Sequence, residues 1–195
     1  MIITFFGHRQ VFKENEIRKR IKVAIDPYLK ESTLTLMVGN HGEYDKIALS
    51  VCRELRKIHP HIRIVVVLTS LAILQKDEFG YSRADIYDDV ETMVYDIEEE
   101  HFKNQIVMNN RHMVDDSDVV IAYVNFKEYR SGAKRAVNYA KQQNKVVINL
   151  YKEEDRPFYG MTREEIDEEI KRHHKEFEKY YKKINKRYYS KKSML

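Results

Sequence analysis

The chain has 195 residues, 43% of them hydrophobic, with 35 Lys and Arg against 31 Asp and Glu and a single cysteine. That length suffices for one domain burying about 70% of its unfolded surface, with room for an appendage. The lone Cys52 excludes an internal disulfide framework and a multi-cysteine zinc site, the apolar run opening "MIITFFGHRQ" is too short for a signal peptide, and no run reaches the length of a membrane span, so a cytoplasmic protein without a membrane partner is expected.

The net charge of +4 is unevenly spread. Between Lys171 and Lys192 ten bases face only Glu176 and Glu178, a net +8, which leaves the rest of the chain mildly acidic at −4. The body and the tail therefore invite separate readings.

In chain order, five apolar runs read as strands: "IITFF", "TLTLMV", "IRIVVVLT", "DVVIAYV" and "VVINLY". They are rich in Val and Ile and continuous rather than alternating, as in strands of a parallel sheet covered on both faces. After the first run, Ile17, Ile21, Ile25 and Tyr28 or Leu29 keep helical spacing until Pro27 bends or ends the helix. After the second, Ile47, Val51, Leu55 and Ile58 do the same and Pro60 closes the segment. Residues 70–116 break the rhythm: eight acids and no base lie between Ala84 and Phe102. "IYDDVETMVYDIEEEHF", with Ile86, Val90, Met93 or Val94 and Ile97 inward, predicts one helix, and "NQIVMNNRHMV" a second, together a helical insert covering a site. After the fourth strand, Ala133, Ala136, Val137 and Ala140 form a narrow face for close packing on a sheet. The alternation predicts an α/β fold: a Rossmann-like, doubly wound, mostly parallel sheet of about five strands over residues 1–155. Residues 156–195 then predict a long, basic, amphipathic C-terminal helix, opened by a capping box (Thr162, Glu165) and a hydrophobic staple (Met161, Ile166).

In such sheets ligands bind beyond the carboxyl ends of the strands, near the point where the strand order reverses. "GHR" (Gly7, His8, Arg9) follows the first strand, "GNHGEYD" the second and "NFKEYRSGAK" the fourth. Each combines glycine with donor-rich side chains. Gly39 and Gly42, flanking Asn40, let backbone N–H groups approach an anion at the start of a helix, and Ser131 and Gly132 do so before the next helix, where Lys134 adds charge. Arg9 suits a bidentate phosphate contact, and His8 can donate, stack or close the turn. Asp45 can cap the helix that follows or grip ribose hydroxyls; both roles stay open. Asn125 is a further polar candidate after the fourth strand. His59 and His61 read as a surface turn and the adjacent His173 and His174 face different sides of a helix, so no metal and no cofactor are expected.

"GHR", "GNHGEYDKIA", "NNRHMVDDSDVVIAYV" and "SGAKRAVNYAKQQNKVVINLY" together resemble the SLOG superfamily (SMF/DprA and LOG-like proteins), in particular its small stand-alone bacterial members, the DUF1273-like proteins. The resemblance covers residues 2 to 151. It implies a pocket for a nucleotide or nucleotide-derived ligand lined by Gly7, His8, Arg9, Gly39, Gly42, Asp45, Ser131 and Gly132, with Asn110 and Arg111 as second-rank candidates. LOG-type phosphoribohydrolases differ at one point: they carry "PGGxGT" and a glutamate where this chain reads "SGAKRAVNYA". Glu43 is then the loop acid left to replace that glutamate.

A binding module or sensor without turnover is therefore the first expectation. The alternatives are an N-glycosidic hydrolase or transferase on nucleoside monophosphates, and a DprA-like role on single-stranded DNA. Tyr180, Tyr181, Tyr188 and Tyr189, interleaved with lysines, would serve the last through stacking and phosphate pairing, or serve a protein partner. The apolar helix faces would also support a homodimer.

Overall fold

A computed structural model describes residues 1–76, 82, 84–96, 102–128, 131–156, 159–168 and 170–172. The chain divides into two units, Met1–Glu153 and Glu154–Leu195. The first holds strands β1 (Ile2–Gly7), β2 (Leu34–Val38), β3 (Ile62–Leu68), β4 (Glu91–Val94), β5 (Val119–Tyr123) and β6 (Val146–Asn149). Its helices are α1 (Glu14–Ile25), α2 (Glu43–Ile58), α3 (Phe102–Asp116) and α4 (Gly132–Gln142).

Every strand pair among the described residues is parallel, in the order β4-β3-β2-β1-β5-β6. The chain steps outward from β1 to β4, then returns through α3 to lay β5 on the other side of β1. The strand order therefore reverses between β1 and β5. Alternation along each strand sorts the side chains into two cores. Ile3 and Phe5 of β1, Leu34, Leu36 and Val38 of β2 and Ile121 of β5 join Ile17 and Ile21 of α1 and Val51 and Leu55 of α2. Phe6, Met37, Val67, Val120 and Ala122 join Met113 and Val114 of α3 and Ala136, Val137 and Ala140 of α4. Helices cover both faces, which is why the central strands carry no alternating polar face.

The sheet of about five expected strands has six among the described residues, the five apolar runs being joined by β4, and the insert is not all helix. Within residues 70–116 lie short 3₁₀ turns at Leu71–Leu74 and Asp85–Tyr87, the strand β4, and then α3. Helical spacing misleads over "DVETMV" because Val90 and Val94 pack into one core while Met93 packs into the other, the signature of a strand. Ile86, expected inward, is 67% exposed. Ile58 is 72% exposed as well, so the buried stripe of α2 ends at Leu55.

In the second unit, residues 163–168 and 170–172 are helical. The expected capping box is formed: the Glu165 carboxylate accepts from the Thr162 N–H at 2.7 Å, and the Glu165 N–H donates to Thr162 Oγ1 at 3.3 Å. The expected continuation through the basic tail lies outside the described residues.

Candidate functional site

Because β2, β1 and β5 are neighbours, their carboxyl ends bring three of the polar, glycine-bearing loops to one edge of the sheet. The floor of that edge is aromatic. Tyr44, in the first turn of α2, is fully buried and stacks on Tyr123 at the end of β5, with ring centroids 5.7 Å apart and planes 14° apart. Its hydroxyl donates to the Ile121 carbonyl at 3.3 Å. Tyr151 tilts against Tyr123 at 5.3 Å, and the His8 ring meets both Tyr123 and Tyr151 edge-on at 6.1 Å. Gly7 lies directly under Tyr44: a Cβ there would fall 2.2 Å from the ring. This glycine makes room for a side chain of the protein itself.

His8 closes the crevice between β1 and β5. Its N–H donates to the Tyr123 carbonyl at 3.2 Å, and its Nε2 accepts from the Asn125 N–H at 2.7 Å. An accepting Nε2 requires the neutral ring to carry its proton on Nδ1, which faces Glu128 Oε2 at 3.2 Å. Burial lowers the pKa of His8 and the Glu128 carboxylate opposes that shift. Asn125 is an anchor too, its Oδ1 accepting from the Lys127 N–H at 3.0 Å.

The loop between β2 and α2 is a cradle for an anion, and the anion is Asp45. Asp45 Oδ2 accepts from the His41 N–H at 2.8 Å and from the Gly42 N–H at 3.1 Å, reaching back over the helix start as an acid at the third helical position does. A side chain at Gly39 would come within 3.3 Å of Asp45 Oδ2, and one at Gly42 within 3.1 Å of the Arg9 Cα. Both glycines thus serve packing, one beneath Asp45 and one beneath the neighbouring loop. Asp45 keeps only part of its surface in water. Burial pushes its carboxyl up to about 6, against the opposing pull of the two backbone N–H groups. Beside it, Asn40 Oδ1 is buried with no hydrogen-bond partner among the described residues.

Glu43 ties two loops together. Its carboxylate accepts from the Val11 N–H at 2.8 Å, and its own N–H donates to the Arg9 carbonyl at 3.0 Å. Arg9 is thereby fixed by its backbone, while its exposed guanidinium makes no hydrogen bond or ion pair with the described residues. Across the junction stands His41, its pKa lowered by burial and then by the Arg9 charge. Its ring likewise forms no hydrogen bond with them. The sequence singled out Arg9 but passed over His41, whose place inside the same glycine loop was the available signal. The aromatic floor was missed as well; its traces were the tyrosine directly after the loop acid, "EYD", and those near the ends of "DVVIAYV" and "VVINLY".

After β5, Ser131 caps α4, its Oγ accepting from the Lys134 N–H at 3.2 Å. Nothing lies within 4 Å of where a Gly132 Cβ would stand. Lys134, expected to face a ligand, instead bonds the carbonyls of Phe126 and Glu128, so its ammonium braces its own loop. Of the second-rank pair on α3, Arg111 lies 5.5 Å over the ring of Tyr139 on α4, and Asn110 makes no hydrogen bond with the described residues, while Asn109 beside it donates to the Leu68 carbonyl at the end of β3 at 3.3 Å. No group of three His, Cys, Asp or Glu side chains among the described residues is placed to hold a metal ion, and no described helix is long and apolar enough to cross a membrane. Comparison with known proteins finds no matching family model and no matching curated sequence.

Proposed function

We propose that the chain is a binding module for a nucleotide or nucleotide-derived ligand, seated over the carboxyl ends of β2, β1 and β5. The observation that carries this reading is Arg9, an exposed guanidinium without a partner among the described residues, held by its backbone beside the strand-order reversal. The same location is what the SLOG resemblance implies. Asp45 offers its second oxygen, which bonds no described residue, to a ligand hydroxyl. Glu43, expected as a substitute catalytic acid, has its carboxylate on the Val11 N–H, which favours binding over turnover. A thermal-shift screen against nucleotides, cyclic dinucleotides and ADP-ribose tests the reading. A ligand at a hundred times its Kd adds about 2.7 kcal/mol, or roughly 5–10 °C for a chain of this size. Arg9→Ala removes the shift. Absence of any shift across the screen refutes the proposal.

One observation favours a second reading, cleavage of an N-glycosidic bond. Asp45 holds its proton up to about 6, a value suited to a general acid near neutrality. Chromatography of AMP incubated with the protein decides between the two. Free base that disappears in Asp45→Asn means turnover; AMP recovered intact alongside a thermal shift means binding alone.

A further inference from the structure

Arg9 and His41 come from adjacent loops that are locked together. The Glu43 N–H bonds the Arg9 carbonyl at 3.0 Å, and the Arg9 Cα sits 3.1 Å from where a Gly42 Cβ would stand. The Arg9 charge lowers the His41 pKa after burial does, and no acid among the described residues forms an ion pair with either side chain. The acids within reach are committed to backbone N–H groups: Glu43 to Val11, and Asp45 to His41 and Gly42. Burial and then the Asp45 charge raise the pKa of Tyr87, from the 3₁₀ turn before β4. An arginine and a histidine carried on loops held together in this way, with the loop acids bonded to backbone N–H groups, leave donors that a further anion can complete.

We propose that Arg9 and His41 together receive a phosphomonoester, the terminal dianionic phosphate of the ligand, while the backbone cradle of the β2–α2 loop stays occupied by Asp45. This assignment rests on the binding reading above and narrows it. Arg9 supplies a fork of N–H donors and His41 a ring N–H, with a second donor N–H and a full charge once protonated. A dianion accepts from both; a diester, with one charge spread over two free oxygens, satisfies less of the pair. Binding therefore favours the protonated form of His41, against the lowering of its pKa by burial and by the Arg9 charge. The preferred ligands end in a phosphomonoester rather than a cyclic or bridging phosphate.

The test follows the His41 ring C–H signals by NMR from pH 5 to 8, with and without inorganic phosphate, chloride holding the ionic strength constant. His41→Gln assigns the signals by their loss. Saturating phosphate raises the His41 midpoint by about 0.5 pH unit or more, and Arg9→Gln weakens phosphate binding about tenfold and removes the rise. Neither side chain makes a hydrogen bond or ion pair with the described residues, so the variants fold. An unchanged midpoint at saturating phosphate overturns the assignment. Nucleotides that shift the melting temperature without moving the His41 midpoint overturn it while leaving the wider binding reading intact. A phosphate response with no nucleotide response upholds the anion site and sinks the nucleotide reading.

Discussion

Gly7→Ala separates packing from ligand access as the reason for a glycine at the end of β1. The new Cβ would lie 2.2 Å from Tyr44 Cγ, 2.3 Å from Cδ1 and 2.5 Å from Cβ. A ring rotation relieves the first two contacts but not the third, because the Tyr44 Cβ is fixed by the backbone of α2. The helix start must therefore back away from the sheet, taking the Tyr44–Tyr123 stack and the bond to the Ile121 carbonyl with it. Overpacking of this kind costs about 1–3 kcal/mol. A lost aromatic pair adds about 0.5–1.5 kcal/mol, and a weakened buried hydrogen bond about 1 kcal/mol. The expected loss is about 3–5 kcal/mol, which for a chain of this size lowers the melting temperature by roughly 6–20 °C. Gly132→Ala is the internal control. Nothing lies within 4 Å of its Cβ position and it opens α4, so alanine there is neutral or stabilises by up to about 1 kcal/mol through the unfolded chain. Thermal melts and urea titrations of both variants, without added ligand, read the difference. A Gly7→Ala protein within about 1 kcal/mol of the parent would refute the steric argument and return this glycine to a ligand-access role.

Asp45 makes stability pH-dependent in the unusual direction for a carboxylate. Its pKa is raised from 3.8 to about 6, so the folded state holds the proton more tightly than the unfolded chain does. The resulting stabilisation is full below about pH 4, is lost as pH rises through about 6, and amounts to at most about 3 kcal/mol, since part of the carboxyl faces water. Asp45→Asn keeps an oxygen for the two N–H groups and abolishes the ionisation. Relative to the parent it is therefore more favourable at pH 7.5 than at pH 4.5 in urea titrations; the opposite order contradicts the assignment. Glu43→Ala removes the acceptor of the Val11 N–H. It costs about 1 kcal/mol overall but speeds hydrogen exchange at Val11 about tenfold, and unchanged exchange there would mean that the clamp holds nothing.

What the sequence disclosed about the fold followed burial. Runs such as "IRIVVVLT" and "DVVIAYV" are apolar on both sides because helices cover both faces, and they became β3 and β5 with ends shifted by a residue or so. Strand β4 escaped because it is a four-residue edge strand, half-exposed and paired on one side only, and its few apolar residues also match helical spacing. Tertiary pairing with Val65 to Leu68, invisible locally, decided its conformation.

The site was legible in position and illegible in wiring. Glycine, acid and base types in three loops were enough to place the edge, since strand ends and helix starts are local features. Which acid neutralises which donor is a question of distances across loops, and there the expectations changed. Gly7, Gly39 and Gly42 pack against Tyr44, Asp45 and the Arg9 backbone while the Cβ position of Gly132 is open, and Lys134 holds carbonyls. A loop whose amides are already bonded to an internal carboxylate cannot also bind a phosphate through them. The donors left without a partner among the described residues, the Arg9 guanidinium and the His41 ring, are therefore a better guide to the proposed ligand than the glycine pattern that first drew attention to the loop.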